Sequence, residues 1–217
     1  MELQVSRNKA TPFEENLRVL QEAAPAGFHR VADRRWVSEA DGDIRRIVEF
    51  QALKGAQYVA RWGFSVDFVP RLRGSRLAWK RTFATAEFDL CIDPLDAEGT
   101  VPHWCAFARD DSPRHVMKVA RAVNDATSTD FAPIRTADDL LHLFERRSRM
   151  VFRRFGLENY VQTDLAWGLL QLAAGDVEAG SDRLTRFCER FEVDSGAAIL
   201  AKAKVQAARL HSVAGAA

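Results

Sequence analysis

Residues 58–69, YVARWGFSVDFV, carry a large or apolar side chain at every second position: Tyr58, Ala60, Trp62, Phe64, Val66 and Phe68. Between them lie Val59, Arg61, Gly63, Ser65, Asp67 and Val69. In an extended chain alternate side chains point to opposite faces, so this stretch predicts a strand with one buried face and one mostly wet face. The same rhythm marks most of the chain from position 28 to about 107. Residues 28–31 and 35–38 predict two short strands. Ala40-Asp41-Gly42-Asp43 predicts a hairpin turn, because Asp-Gly tolerates the positive φ that such turns need. Ile44, Val48, Phe50 and Ala52 alternate along the next strand, with Arg46 as the exception, and Lys54-Gly55-Ala56 turns the chain into residues 58–69. Leu77, Trp79 and Phe83 alternate in a further candidate. Ala86, Phe88, Leu90 and Ile92 follow, opposite Thr85, Glu87, Asp89 and Asp93. One apolar and one polar face is the pattern of an antiparallel sheet wetted on one side, and short connections favour a meander of about five or six strands.

Helical spacing brackets this sheet. Thr11-Pro12-Phe13-Glu14 reads as a capped helix start, and Phe13, Leu17, Leu20 and Ala24 form one stripe that Pro25-Ala26-Gly27 ends. Ser112-Pro113 opens a helix carrying Val116, Val119, Ala120 and Val123. Thr136 caps the next, which turns Leu140, Leu141, Phe144, Val151 and Phe155 inward before Gly156. Leu165, Trp167, Leu169 and Leu172 predict a helix ended at Ala174-Gly175-Asp176. Leu184, Phe187, Cys188 and Phe191 line its partner, and an alanine-rich helix spans 197–210. Gly168 and Gly175 have a spacing seen in helical-hairpin repeats, but no second copy accompanies them. Strands first and helices after them predict an α+β fold: a twisted antiparallel sheet covered on one face by the N-terminal helix and later helices. The expected organisation is an α+β unit over 1–155 and a helical segment over 160–217 packed on the same core.

Gly27-Phe28, Trp36, Ile44-x-x-Ile47-Val48-x-Phe50-Gln51 and Phe64-x-Val66, followed by residues 138–156 (DDLLHLFERRSRMVFRRFG), together resemble the bacterial family named domain of unknown function 4304. The resemblance spans roughly 13–155. It implies an α+β domain with an antiparallel sheet. It implies no activity and carries over no catalytic residue.

Charge changes the picture in two places. The 217 residues carry a formal net charge of +1, which argues against a wholly basic nucleic-acid binder. Arg71, Arg73, Arg76, Lys80 and Arg81 nevertheless follow one another with no acid between them, and Arg146, Arg149 and Arg153 share one helix side. Such clusters fit a solvated face paired with the chain's equally numerous acids or a charged sheet edge, and they also fit phosphate or an acidic protein surface. Cys91, Cys105 and Cys188 are too few for a disulfide framework, so a reducing cytoplasm is expected, and no apolar run is long enough to span a membrane.

Candidate chemistry is sparse. Cys91, His103 and Cys105 form the one group with metal character, and a fourth ligand would have to come from Asp89, Asp93 or His115. Buried thiols and a surface histidine explain them better, and neither a metal nor any other cofactor is expected. There is no Gly-x-Ser-x-Gly elbow and no phosphate-cradling glycine loop. The first expectation is a non-enzymatic module that binds a protein through its polar sheet face and basic edge. Arg61, Ser65, Asp67, Arg71, Arg73, Arg76, Trp79 and Arg81 are its candidate contacts, and Gly63 fits a packing position or a bulge on that face, or an opening for a partner's backbone. A nucleic-acid accessory protein using Arg71, Arg73, Arg76 and Arg81 is the alternative. An enzyme with a pocket lined by Arg61, Asp89, Asp93 and His103 is the third, and it requires those side chains to converge.

Overall fold

A computed structural model describes residues 11–79, 81–92, 94, 100–149, 163–193, 198, 200–203 and 205. The fold is α+β. Helix α1 (Pro12–Glu22) starts on the expected capping box, with Thr11 and Glu14 each accepting from the other's backbone N–H. Four strands follow as a meander: β1 (Phe28–Ala32), β2 (Arg35–Ser38), β3 (Ile44–Leu53) and β4 (Gln57–Val66). Every adjacent pair is antiparallel. Gly42 takes a φ of 61° in the β2–β3 turn, as Asp-Gly predicts.

Strands β5 (Arg71–Arg73) and β6 (Arg76–Ala78) stand apart as a two-stranded hairpin. The expected strand through Leu77, Trp79 and Phe83 therefore breaks: β6 stops at Ala78, and residues 83–85 form a single 3-10 turn. The main sheet is completed by β7 (Leu90–Ile92) and β8 (Ala106–Ala108), which share the far edge of β4: β7 pairs with Trp62–Phe64 and β8 with Gln57–Val59.

The predicted apolar face is the floor of the main core. Trp36, Val48, Phe50, Ala60, Trp62, Phe64 and Val66 are buried there. Helix α2 (Pro113–Phe131) covers them with Val116, Val119, Ala120 and Val123, and α1 packs beside it. Phe13 stacks on Tyr58 at 5.6 Å. Arg46, the exception in the β3 pattern, lies at the rim and donates to the Ile134 carbonyl. Asn16 is buried on α1 although its type reads as exposed: its amide donates to the carbonyls of Arg109 and Asp111, tying the helix to the chain leaving β8.

Helix α3 (Ala137–Ser148) begins on the expected Thr136 cap and buries Leu140, Leu141 and Phe144. Helices α4 (Thr163–Ala173) and α5 (Val177–Arg190) form the hairpin turned at Gly175. Their buried residues join the same hydrophobic cluster as the sheet. Of the helix expected over 197–210, the described positions 198, 200–203 and 205 are helical. Lys80, Val151, Arg153, Phe155 and Gly156 fall outside the described residues.

Candidate interaction surface

The face of the sheet expected to be wet is covered over part of its area. Val37, Ile47 and Cys91 are buried on it beneath Ala86 and Phe88, with Val31 and Phe83 at the margin, and these residues make a second, smaller core. The cover is the loop formed by residues 81–89.

Two charged residues close that loop at its base. Arg81 and Asp89 pair at 2.7 Å with both side chains fully buried. Arg81 binds both carboxylate oxygens, at 2.7 and 2.8 Å, and also donates to Ser65 Oγ at 2.7 Å and to the Val69 carbonyl. Asp89 continues into the β-ladder. Its N–H donates to the Phe64 carbonyl, and its Oδ2 accepts from the Val66 N–H at 2.7 Å. A side-chain oxygen thus replaces a backbone acceptor, and the chain bends at Asp89. That bend corrects the predicted alternation: Leu90 and Ile92 lie in the main core, whereas Ala86 and Phe88 lie on the opposite face. Burial pushes the Asp89 carboxyl up to about 6, against the lowering pull of the Arg81 charge and the Val66 N–H.

Gly63 is the position where the loop's continuation crosses β4. A Cβ there would lie 2.0 Å from the Leu90 carbonyl oxygen and 2.9 Å from Cys91 Cα. The backbone that approaches this glycine belongs to the protein's own β7.

Around the small core the charges pair with one another. Arg35, Glu49 and Arg61 face each other across β2, β3 and β4, with Glu49 3.7 Å from Arg35 and 3.2 Å from Arg61. The Phe88 ring lies against both guanidiniums, 5.6 Å from Arg35 and 4.9 Å from Arg61. Arg45 grips Asp67 through two 2.8 Å hydrogen bonds, which raises the Arg45 pKa further. Glu87 on the loop reaches Arg71 at 3.4 Å and Arg73 at 3.6 Å.

The candidate contacts therefore separate into groups. Ser65 and Arg81 are buried in the loop's anchor. Arg61 and Asp67 are half-buried in ion pairs. Arg71 is half-buried beside Glu87. Trp79 packs against the main core with the Lys202 ammonium 4.7 Å from its ring centre. Arg73 and Arg76, at the β5–β6 turn, are exposed.

The described residues of the expected pocket, Arg61, Asp89 and His103, do not converge. Asp89 is held by Arg81 and Arg61 by Glu49, His103 sits in a separate exposed turn, and Asp93 falls outside the described residues. Cys91 and Cys105 belong to cores on opposite faces of the sheet. Cys105 donates to the Pro102 carbonyl, and burial pushes its thiol up to about 11. Among the described residues no three His, Cys, Asp or Glu side chains are grouped to hold a metal ion. No described helix is long and apolar enough to cross a membrane.

Comparisons with protein-family models, curated proteins and solved structures find no match to this chain.

Proposed function

We propose that the protein is a non-enzymatic interaction module that binds a protein partner through the exposed tip of the β5–β6 hairpin and the charged sheet face beside it. The interleaving of acids and bases on that face carries this reading. Glu49, Asp67 and Glu87 sit among Arg35, Arg45, Arg61, Arg71 and Arg73, each within reach of an opposite charge. A polyanion is best met by unbroken positive charge. A fixed pattern of both signs instead complements another protein and rejects wrong partners. The nucleic-acid alternative also loses Arg81, which is buried, and shares Arg71 and Arg73 with Glu87.

The test is the double charge reversal Arg73→Glu, Arg76→Glu. Both side chains are exposed, so the folded state should keep its stability within about 0.5 kcal/mol. A partner captured by the wild-type protein, identified by mass spectrometry and purified, should bind the variant at least about tenfold more weakly. Labelled single- and double-stranded oligonucleotides should bind neither protein. Tight oligonucleotide binding that falls steeply with salt and disappears in the variant would replace this reading with the nucleic-acid one.

A further inference from the structure

Strand β2 covers only part of β3. Their ladder runs from Val37↔Ile47 to Arg35↔Glu49, and the Phe50 N–H adds a last rung to the Arg34 carbonyl at 2.9 Å. On its other side β3 remains paired with β4 out to Leu53↔Gln57. Gln51, Ala52 and Leu53 thus project past the tip of the β1–β2 hairpin. All three are exposed, Leu53 to 44%. Along a strand, successive residues direct their backbone N–H and C=O to alternate sides. Phe50 faces β2, so Ala52 faces the same side, where no described strand pairs with it.

This step between two hairpins forms a cleft of about 330 Å³, with Asp33, Arg34, Arg35, Glu49, Gln51 and Ala52 among its lining. Glu49 is shared by Arg35 and Arg61. Arg34 lies with its guanidinium 4.8 Å from the centre of the Tyr58 ring, and no described carboxylate lies within ion-pair distance of it. A guanidinium stacked on an aromatic face is held in one orientation and keeps its N–H groups for a carboxylate.

Direction follows from the ladder. A segment that pairs antiparallel to β3 runs the same way as β2, so its C-terminal end arrives at the β1–β2 turn beside Arg34. A parallel segment would bring an N-terminal ammonium to the same guanidinium, cation against cation. We propose that this step receives the C-terminal end of an extended peptide from a partner protein, its backbone pairing with Ala52 and its terminal carboxylate meeting Arg34. This adds a strand to a sheet edge, with main-chain hydrogen bonds supplying affinity and the carboxylate contact fixing the end of the chain. Such a site rests on the interaction-module reading but uses a surface remote in sequence from Arg73 and Arg76, so either can fail alone.

The probe is a display library of random peptides with free C-termini, selected on the full chain and counter-selected on Ala52→Pro. Proline removes the outward N–H of Ala52 and leaves the β4 ladder, which that group does not join, in place. A thermal melt checks that the variant folds. Selected sequences are then synthesised as free acids and as amides. The free acid should shift the amide resonances of Gln51, Ala52 and Leu53. Both amidation and Arg34→Ala should weaken binding about tenfold or more. Failure to enrich any sequence over the Ala52→Pro control overturns the proposal. So does equal binding of acid and amide, which would leave edge pairing without carboxylate recognition, or shifts confined to the β5–β6 hairpin.

Discussion

Arg81→Met is expected to destabilise the protein by about 3–5 kcal/mol above neutral pH, because it leaves the Asp89 carboxylate buried without its cation. The deficit should depend on pH, and its sign follows from Asp89. In the wild-type protein the folded carboxyl titrates at about 6, above its ordinary value of 3.8. A raised acid binds its proton more tightly in the folded state. Its favourable contribution is therefore complete below the ordinary value and is lost as pH rises through about 6. Removing Arg81 removes the charge that pulls this carboxyl down, so the variant titrates higher still. The two proteins then differ most above the variant's raised value, and the difference shrinks as pH falls from that value towards about 6, below which both carry a protonated Asp89. Urea unfolding of both proteins across this range measures it. A deficit that stays constant with pH would mean that Arg81 acts through its carbonyl contacts and not through Asp89. Arg81→Met combined with Asp89→Leu should cost less than the two single changes summed, since neither buried charge is then left alone.

Gly63→Ala is the second large effect. In an ordinary antiparallel pair an alanine is tolerated, but here its Cβ would meet the Leu90 carbonyl at 2.0 Å and Cys91 Cα at 2.9 Å. Both are backbone atoms, so no rotamer change relieves the clash. Strand β7, three residues long, has to move away from β4. Displacing Leu90 also pulls on Asp89, and with it on the Val66 N–H and Arg81. A loss of about 3 kcal/mol or more is expected, at the upper end of overpacking effects. Combined with Arg81→Met the loss should be clearly less than additive, because both changes release the same loop. Full additivity in urea unfolding would show that the glycine and the ion pair hold separate parts of the molecule.

The parts of the fold that the sequence makes legible are those governed by local rules. The Arg35–Ser38 strand, the start of β3 at Ile44, the Asp41-Gly42 turn and the caps at Thr11 and Thr136 all follow from periodicity or from the chemistry of a few neighbouring residues. The 81–89 loop follows from neither. Ala86, Phe88, Leu90 and Ile92 alternate without a break in sequence, yet the bend at Asp89 divides them between two faces. No periodicity registers a carboxylate standing in for a ladder carbonyl. Arg81 reads as one more cation in a basic run, and only its position against Asp89, eight residues on, makes burial tolerable. Two opposite charges flanking Phe83, Ala86 and Phe88 are the available sequence signal for a loop closed at its base. Asn16 is similar: its role depends on the carbonyls of Arg109 and Asp111, more than ninety residues away. At the candidate surface, the alternation puts Arg61, Ser65 and Asp67 on one face, but it does not distinguish a face open to a partner from one occupied by the chain's own loop, and it misses Val69, which lies in the main core.

Part of the second face of the sheet is sealed by a loop that Arg81 and Asp89 clamp, and the extent of the exposed surface depends on that seal. Amide hydrogen exchange at Val66, whose N–H donates to Asp89 Oδ2, tests it directly. Exchange of Val66 only through global unfolding, with a free energy equal to that from urea denaturation, is the expected result. Exchange at the rate of an exposed loop amide would mean that the clamp is open, that the polar face is wet, and that Arg81 belongs to the basic surface after all.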